Sequence, residues 1–173
     1  MLSTFIIENM LAVRVALGAA VALCIALGFA LLRDGRRGRR IGAVLAGVAV
    51  LVVLAITLLP DTNPNPEVGC KLESFSPLND EWNILLFVFP TLFAVVATRR
   101  PVLVALGAAV LSAAIELVQA VTPALGRRCD LDDWLSNCTG AAIGVAVGVA
   151  LMLLDRWRQA RAHSKQREMS SSM

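Results

Sequence analysis

The sequence predicts an all-α membrane protein, a polytopic bundle of about five transmembrane helices that forms one domain over residues 1–173. Of the 173 residues, 57% are hydrophobic and 17% are charged, and the mean hydropathy is +0.72. The charges fall in clusters between apolar runs of about 20 residues, the length that crosses a hydrocarbon core of about 30 Å. These two observations exclude an ordinary soluble domain.

Charged residues and prolines mark the ends of the predicted helices. The first helix resembles a signal peptide in length, but its basic cluster follows the apolar run, so we expect it to be retained. The third is short and crosses only if Trp82 lies in the headgroup region, where indole rings are favoured. The five helices are predicted at residues 11–32, 41–59, 82–98, 102–121 and 133–154.

Basic residues predict the orientation. Twelve of the 16 lysines and arginines lie in the linker after the first helix, the linker after the third, or the tail 155–173. Positive segments stay in the cytoplasm, so we expect the N-terminus outside and the C-terminus inside. The basic tail is then cytoplasmic and attracted to anionic lipid, and nucleic acid is not an expected partner. Loops 60–81 and 122–133 project outside.

The four cysteines divide by compartment. Cys24 and Cys138 fall within predicted helices and are expected to be free thiols. Cys70 and Cys129 lie in the two outer loops, where an oxidising exterior lets a disulfide persist. We predict a Cys70–Cys129 bond, with two free thiols or a Cys70–Cys138 bond as alternatives.

Ionisable and amide side chains interrupt the apolar runs near their outer ends. Glu116 lies five residues before the end of the fourth helix, about 7 to 8 Å below its outer boundary. Gln119 follows at i+3, and Asp133 and Asn137 share a face of the fifth helix at i, i+4. With Asn83 at the start of the third helix, these side chains predict a polar ring. A buried ionisable group in a membrane is a functional-site hypothesis by default.

Arg127 or Arg128 is expected to donate to the Glu116 carboxylate, together with the amides of Gln119 and Asn137. The ring is then either a ligand pocket or a structural clasp between helices, and both interpretations stay open. Asp132 and Asp133 precede the fifth helix and are expected to cap its N-terminus.

Neither a metal site nor a cofactor is predicted. The segment "DLDD" lacks the spacing, glycine and terminal glutamate of an EF-hand loop. The single histidine, His163, lies in the tail, so neither a Ser-His-Asp triad nor an HExxH zinc site can form at the outer end.

Glycines recur every fourth residue along the fifth helix, at Gly140, Gly144 and Gly148. Small residues at this spacing let a neighbouring helix approach nearly to backbone contact. We expect intramolecular packing that presses Asn137, one turn earlier, toward the other helices.

Three segments together resemble the VanZ family of small multi-pass membrane proteins: "NILLFVFP" at 83–90, "SAAIELVQ" at 112–119 and "GRRCDLDDWLSNCTGAAIG" at 126–144. The resemblance implies a VanZ-like core over residues 79–154. One departure is Thr91-Leu92 after Pro90, where the family commonly has a bulky residue and then glycine. The positions that match the family motif are Asn83, Phe87, Pro90, Glu116, Gln119, Arg127, Asp130, Asp133, Asn137 and Gly140.

The resemblance implies a role in the cell envelope of the bacterial plasma membrane, linked to tolerance of teicoplanin-type glycopeptides. Our first hypothesis is an outward-facing pocket that binds a lipid-linked cell-wall intermediate or a glycopeptide. The alternative is an intramembrane hydrolase or transferase, with Glu116 as general base and Arg127 stabilising negative charge. Membrane lipids are partners in either case. The predicted pocket residues are Asn83, Glu116, Gln119, Arg127, Asp130, Asp133 and Asn137.

Overall fold

The computed structural model describes residues 10–60, 70–71, 81–127 and 129–171. Most of the outer loop 60–81 and Arg128 therefore lie outside the described residues. The described part is helical apart from short connections and one two-stranded ladder, which confirms the all-α class. The helices are α1 (Met10–Arg33), α2 (Gly35–Leu58), α3 (Glu81–Thr98), α4 (Pro101–Val121) and α5 (Leu131–Ser171), with a 3₁₀ turn at Pro123–Leu125 and strands β1 (Cys70–Lys71) and β2 (Cys129–Asp130).

Four of the described helices, α1, α2, α4 and α5, are long and apolar enough to cross a membrane. Their outward faces carry large apolar side chains that would be costly in water, such as Val44, Leu106 and Leu117, each at least 60% exposed. Such faces are the expected lipid contacts of a bundle. The multi-pass prediction is confirmed by these spans.

The short third helix, α3, is the centre of the bundle. It packs most closely against α5 and α2, and it also contacts α4 and α1. Phe87, Leu92, Val95 and Val96 on α3 are each at most 1% exposed. Because α3 is surrounded by protein, its apolar length does not have to match the thickness of the lipid.

The glycine stripe of α5 packs within the chain, as predicted, and the helix that it contacts is α3. A Cβ atom at Gly140 would overlap the Ile84 carbonyl, and one at Gly144 would overlap Thr91 Oγ1 and the Val88 carbonyl. The stripe therefore brings the two backbones into contact within one chain. Thr91 fits at this contact because its hydroxyl donates to the Phe87 carbonyl of its own helix at 2.6 Å.

Two helices are longer than the apolar runs that predicted them. The α2 helix begins at Gly35 and includes the arginine-rich linker, which the prediction placed before residue 41. The α5 helix begins at Leu131 and continues through the basic tail to Ser171. Arginine, alanine and glutamine are good helix formers, so these segments stay helical although their charge keeps them out of lipid.

The bundle has two chemically different ends. We call the end that carries the β1–β2 ladder the disulfide end. The other end carries Arg36 to Arg40 and the α3–α4 link at Arg99 and Arg100, and we call it the arginine end. A helix of 41 residues is about 60 Å long, twice the hydrocarbon core, so α5 must extend past the membrane at the arginine end.

Candidate functional site

A disulfide joins Cys70 to Cys129, with a Cα–Cα distance of 4.4 Å. The same residues are paired in the parallel ladder, with Lys71 opposite Asp130. Cys24 and Cys138 are free. The predicted pairing is therefore confirmed, and it ties the loop after α2 to the residues that start α5.

Glu116 lies on α4 facing this ladder and is 7% exposed. Its Oε2 accepts a hydrogen bond from the main-chain N–H of Asp130 at 2.9 Å. The carboxylates of Asp133 and Asp130 lie close enough to interact with it electrostatically. Since Asp130 follows Cys129 directly, the disulfide positions the main-chain N–H of Asp130 that donates to Glu116.

Arg127 was expected to donate to Glu116, but the contact that the structure describes for it is with Leu59. Its Nε donates to the carbonyl of Leu59 at 3.2 Å. Leu59 is the C-terminal cap of α2, where helix carbonyls lack intrahelical partners. This bond joins the α4–α5 connection to the end of α2. The described donor to Glu116 is the Asp130 amide, and Arg128 is outside the described residues.

Asp130 also caps α5. Its Oδ1 accepts from the main-chain N–H of Asp132 at 3.0 Å, the bond of an N-cap aspartate to the second helical residue. The expectation that Asp132 and Asp133 are the caps is wrong, because the helix begins two residues earlier than predicted and places both in its first turn. Their charges still favour the positive end of the helix dipole.

Gln119 and Asn137 are buried, at 6% and 2% exposed. Gln119 Nε2 donates to the Thr57 carbonyl of α2 at 2.9 Å, and Asn137 Nδ2 donates to Ser112 Oγ of α4 at 3.0 Å. The remaining oxygens, Gln119 Oε1 and Asn137 Oδ1, have no hydrogen-bond partner among the residues that the structure describes. A carbonyl can only accept, so the contact with Thr57 fixes which Gln119 atom is left over.

The polar ring predicted from sequence is thus brought together mainly around α4. Ser112, Glu116 and Gln119 form one face of this helix, and Asp130 and Asn137 approach it from β2 and α5. Asn83 is half-buried in the first turn of α3. It precedes Ile84, whose carbonyl packs on Gly140, so it lies at the level of the first turns of α5.

Two contributors were missed by the sequence reasoning. Ser112 is completely buried and bonds Asn137, and Thr57 supplies the carbonyl that holds Gln119. A signal existed only for Ser112, which lies one turn before Glu116 on the same helix face. Thr57 contributes a main-chain carbonyl, which its residue type does not reveal.

An open groove of about 420 Å³ runs beside this polar face. Its walls are mostly apolar and come from α4, the start of α5 and the disulfide, including Ala113, Leu117, Ala120 and Trp134. Glu116 is part of the wall, and Leu117 is 64% exposed. The groove therefore opens on the lipid-facing side of α4 and leads to a carboxylate.

The chemistry of the arrangement is that of hydrogen-bond acceptors beside an apolar wall. Within the described part of the chain, no group of three or more His, Cys, Asp or Glu side chains is placed to hold a metal ion. Cys129 is bonded to Cys70 and so has no thiol that could act as a nucleophile.

A sequence model of the VanZ/LLP1 family matches residues 48–153. The match spans well over half of the chain and begins upstream of the expected core, within α2. It therefore includes Thr57 as well as the polar residues of α3, α4 and α5. No curated protein and no solved structure matches the chain. The extent of the family match decides the assignment: the chain belongs to the VanZ/LLP1 family.

Proposed function

We propose that this protein binds an amphiphilic cell-envelope ligand at the disulfide end, in the outer leaflet region of the bacterial plasma membrane. The ligand is a lipid-linked cell-wall intermediate or a glycopeptide that carries an acyl chain. Binding links the protein to tolerance of teicoplanin-type glycopeptides. The observation that carries the proposal is the buried Glu116 carboxylate in the wall of an apolar groove open toward lipid.

The mostly apolar walls of the groove favour an amphiphilic ligand over a wholly polar one. An acyl chain can enter beside the exposed Leu117 without leaving the bilayer, and the apolar wall then replaces lipid contacts. The ligand's polar group meets Glu116 and the Asp130 main chain at the inner wall. Hydroxyl, amide and amino groups of sugars and peptides are donors that suit a carboxylate.

The proposed orientation places this site outside. Arginines concentrate at the opposite end, and positive segments stay in the cytoplasm. The disulfide supports the same orientation, because such bonds persist in an oxidising compartment.

Binding has more support than catalysis of a reaction. The enzyme hypothesis needs Arg127 to stabilise negative charge on a phosphate or ester beside Glu116, whereas the described Arg127 contact is the bond from its Nε to the Leu59 carbonyl at the end of α2. It also needs a nucleophile, and the disulfide removes Cys129 from the candidates. The structural clasp is the competing role, since Gln119 and Asn137 both form contacts between helices.

Glu116→Gln separates a ligand role from a clasp. The amide side chain retains an oxygen that accepts from the Asp130 amide, so fold and insertion should persist while the negative charge is lost. In a deletion strain complemented at equal expression, we expect this variant to reduce glycopeptide tolerance to the level of the deletion. Asp34→Asn, an exposed acid at the arginine end, is the matched control and should behave as wild type. Wild-type tolerance in Glu116→Gln would reject the pocket and leave the clasp.

The groove is tested separately by two adjacent alanines. Ala113 and Ala114 are both exposed on α4, but only Ala113 lines the groove. Ala113→Phe fills the space that an acyl chain would occupy, whereas Ala114→Phe adds the same apolar area outside the groove. Loss of tolerance for the first and not the second is the result that an acyl-chain groove requires.

A further inference from the structure

A second cavity lies at the arginine end, at the opposite end of the bundle from Glu116. Its volume is about 620 Å³, and the described residues that line it include no acidic side chain. Three lining arginines belong to the first turns of α2, and the fourth is in the link between α3 and α4. They are Arg36, Arg39, Arg40 and Arg99.

Two of these guanidinium groups are held by the main chain. Arg39 Nε donates to the Ala97 carbonyl at 2.9 Å, and Arg99 Nη2 donates to the Leu32 carbonyl at 3.2 Å. Both acceptors lie in the last turn of a helix, where carbonyls lack helical partners. A guanidinium has five N–H donors, so each of these two retains donors for a ligand.

The backbone at Arg99 supports a built site rather than a loose basic surface. Its φ is 57°, in the left-handed region that non-glycine residues rarely adopt. This conformation ends α3 before Pro101 starts α4, at the residue whose side chain reaches across to α1. The arginine is thus oriented by a turn of the fold.

A separate apolar crevice of about 270 Å³ lies farther along the same helices. Its walls are formed by α2, α3 and α4 and include Val50, Ala94 and Gly107. Ala43 and Ala97 border the arginine cavity. The two spaces are therefore separated by about 10 Å along α2 and about 5 Å along α3, at 1.5 Å per residue.

Cationic hydrogen-bond donors next to an apolar crevice are complementary to a lipid that has an anionic head group and an acyl chain. Arginine forks are suited to phosphate oxygens, and basic pockets between transmembrane helices accept anionic head groups. We infer that the arginine cavity and the apolar crevice together bind one anionic phospholipid. Its phosphate lies in the arginine cavity and one acyl chain lies in the crevice of α2, α3 and α4. The inference does not depend on the ligand at the disulfide end. With the proposed orientation, the lipid comes from the cytoplasmic leaflet.

Native mass spectrometry of the full-length protein in detergent tests the inference. It measures the binding of added phosphatidylglycerol, phosphatidylcholine or inorganic phosphate. Arg36→Gln with Arg40→Gln removes two lining charges and leaves the two main-chain anchors, Arg39 and Arg99. We expect roughly 30-fold weaker phosphatidylglycerol binding, because the two lost charges near the head group together correspond to about 2 kcal/mol. Arg156→Gln with Arg167→Gln removes the same charge from exposed positions on α5 and should leave binding unchanged.

The acyl chain is tested by a pair of glycines. A Cβ atom at Gly107 or at Gly47 meets no atom within 4 Å, so a leucine can be introduced at either position without a clash at its Cβ. Only Gly107 lines the crevice. Gly107→Leu should weaken phosphatidylglycerol binding, and Gly47→Leu should not.

Selective phosphatidylglycerol binding that both test variants weaken and both controls preserve would establish the site. Equal loss in the α5 control would show a general polybasic attraction and overturn it. Inorganic phosphate that competes fully with the lipid, together with wild-type binding in Gly107→Leu, would overturn the lipid and leave an anion site.

Discussion

Ser112, Glu116 and Gln119 lie on one face of α4, and each contacts a different element. Their partners are Asn137 of α5, the Asp130 amide of β2 and the Thr57 carbonyl of α2. Interhelical hydrogen bonds in membranes contribute only about 0.6 kcal/mol on average. A buried acceptor left without a partner costs about 1 to 3 kcal/mol. Within the described part of the chain, two such oxygens, on Gln119 and Asn137, lack a partner, so stability alone is a weak reason for this cluster.

The contact between Ser112 and Asn137 is the most direct test of the clasp. A double-mutant cycle of Ser112→Ala and Asn137→Ala should give a coupling energy of about 0.6 kcal/mol, and below about 1.7 kcal/mol, in unfolding from mixed micelles. The matched cycle pairs Asn137→Ala with Thr98→Ala, an exposed hydroxyl at the other end of α3. It should give no coupling. A larger coupling than this range would assign the cluster a mainly structural role.

At the scale of elements, α3 and α5 form the tightest pair because glycines remove the side chains between them. Gly140, Gly144 and Gly148 meet α3 at successive turns. This contact places Asn137, one turn before the stripe, against α4 near Ser112. The packing of one helix pair therefore positions a residue that bonds a third helix.

Gly144→Ala should destabilise the protein by about 1 to 3 kcal/mol, the usual cost of overpacking. Its Cβ would overlap both a side-chain oxygen and a main-chain carbonyl of α3, and a carbonyl within a helix cannot move aside alone. Unfolding by denaturing detergent measures the change.

The control for that substitution is Gly18→Ala on α1, where a Cβ meets nothing within 4 Å. It should be neutral or stabilising by up to about 1 kcal/mol, because alanine is the better helix former. Equal stability of the two variants would contradict the close contact between α3 and α5.

At the scale of the whole molecule, the bundle has chemically opposite ends. The disulfide end combines a covalent tether between two loops with buried acceptors and an open groove. The arginine end combines a basic cavity with an α5 helix that extends past the membrane. These differences support the proposed orientation, with the disulfide end on the oxidising side and the arginine end toward anionic lipid.

Reporter fusions test the resulting orientation. A fluorescent protein that matures only in the cytoplasm, fused after Ser171, should be bright, and alkaline phosphatase fused after Gly126 should be active because it folds only outside. Exchanging the two reporters should silence both. The reverse pattern would invert the bundle and place the Glu116 groove in the cytoplasm.

The elements could be predicted to different degrees. The five helices, the Cys70–Cys129 bond and the glycine contact followed from hydropathy, compartment and spacing. The starts of α2 and α5 did not, because hydropathy marks where a helix enters lipid and not where its hydrogen bonding begins. The central position of α3 was also missed, since a short apolar run looks alike whether it faces lipid or protein.

By itself the sequence determined that the chain lies in a membrane, how many helices it has, and which polar residues lie near one end. These properties depend on the transfer of each residue type from water to lipid and on position along a helix. Only the tertiary structure decided the partners: the Asp130 amide for Glu116, the Leu59 carbonyl for Arg127 and the Thr57 carbonyl for Gln119. Main-chain groups of every residue are chemically alike, so the partner is selected by the distances between packed helices, which residue types do not encode.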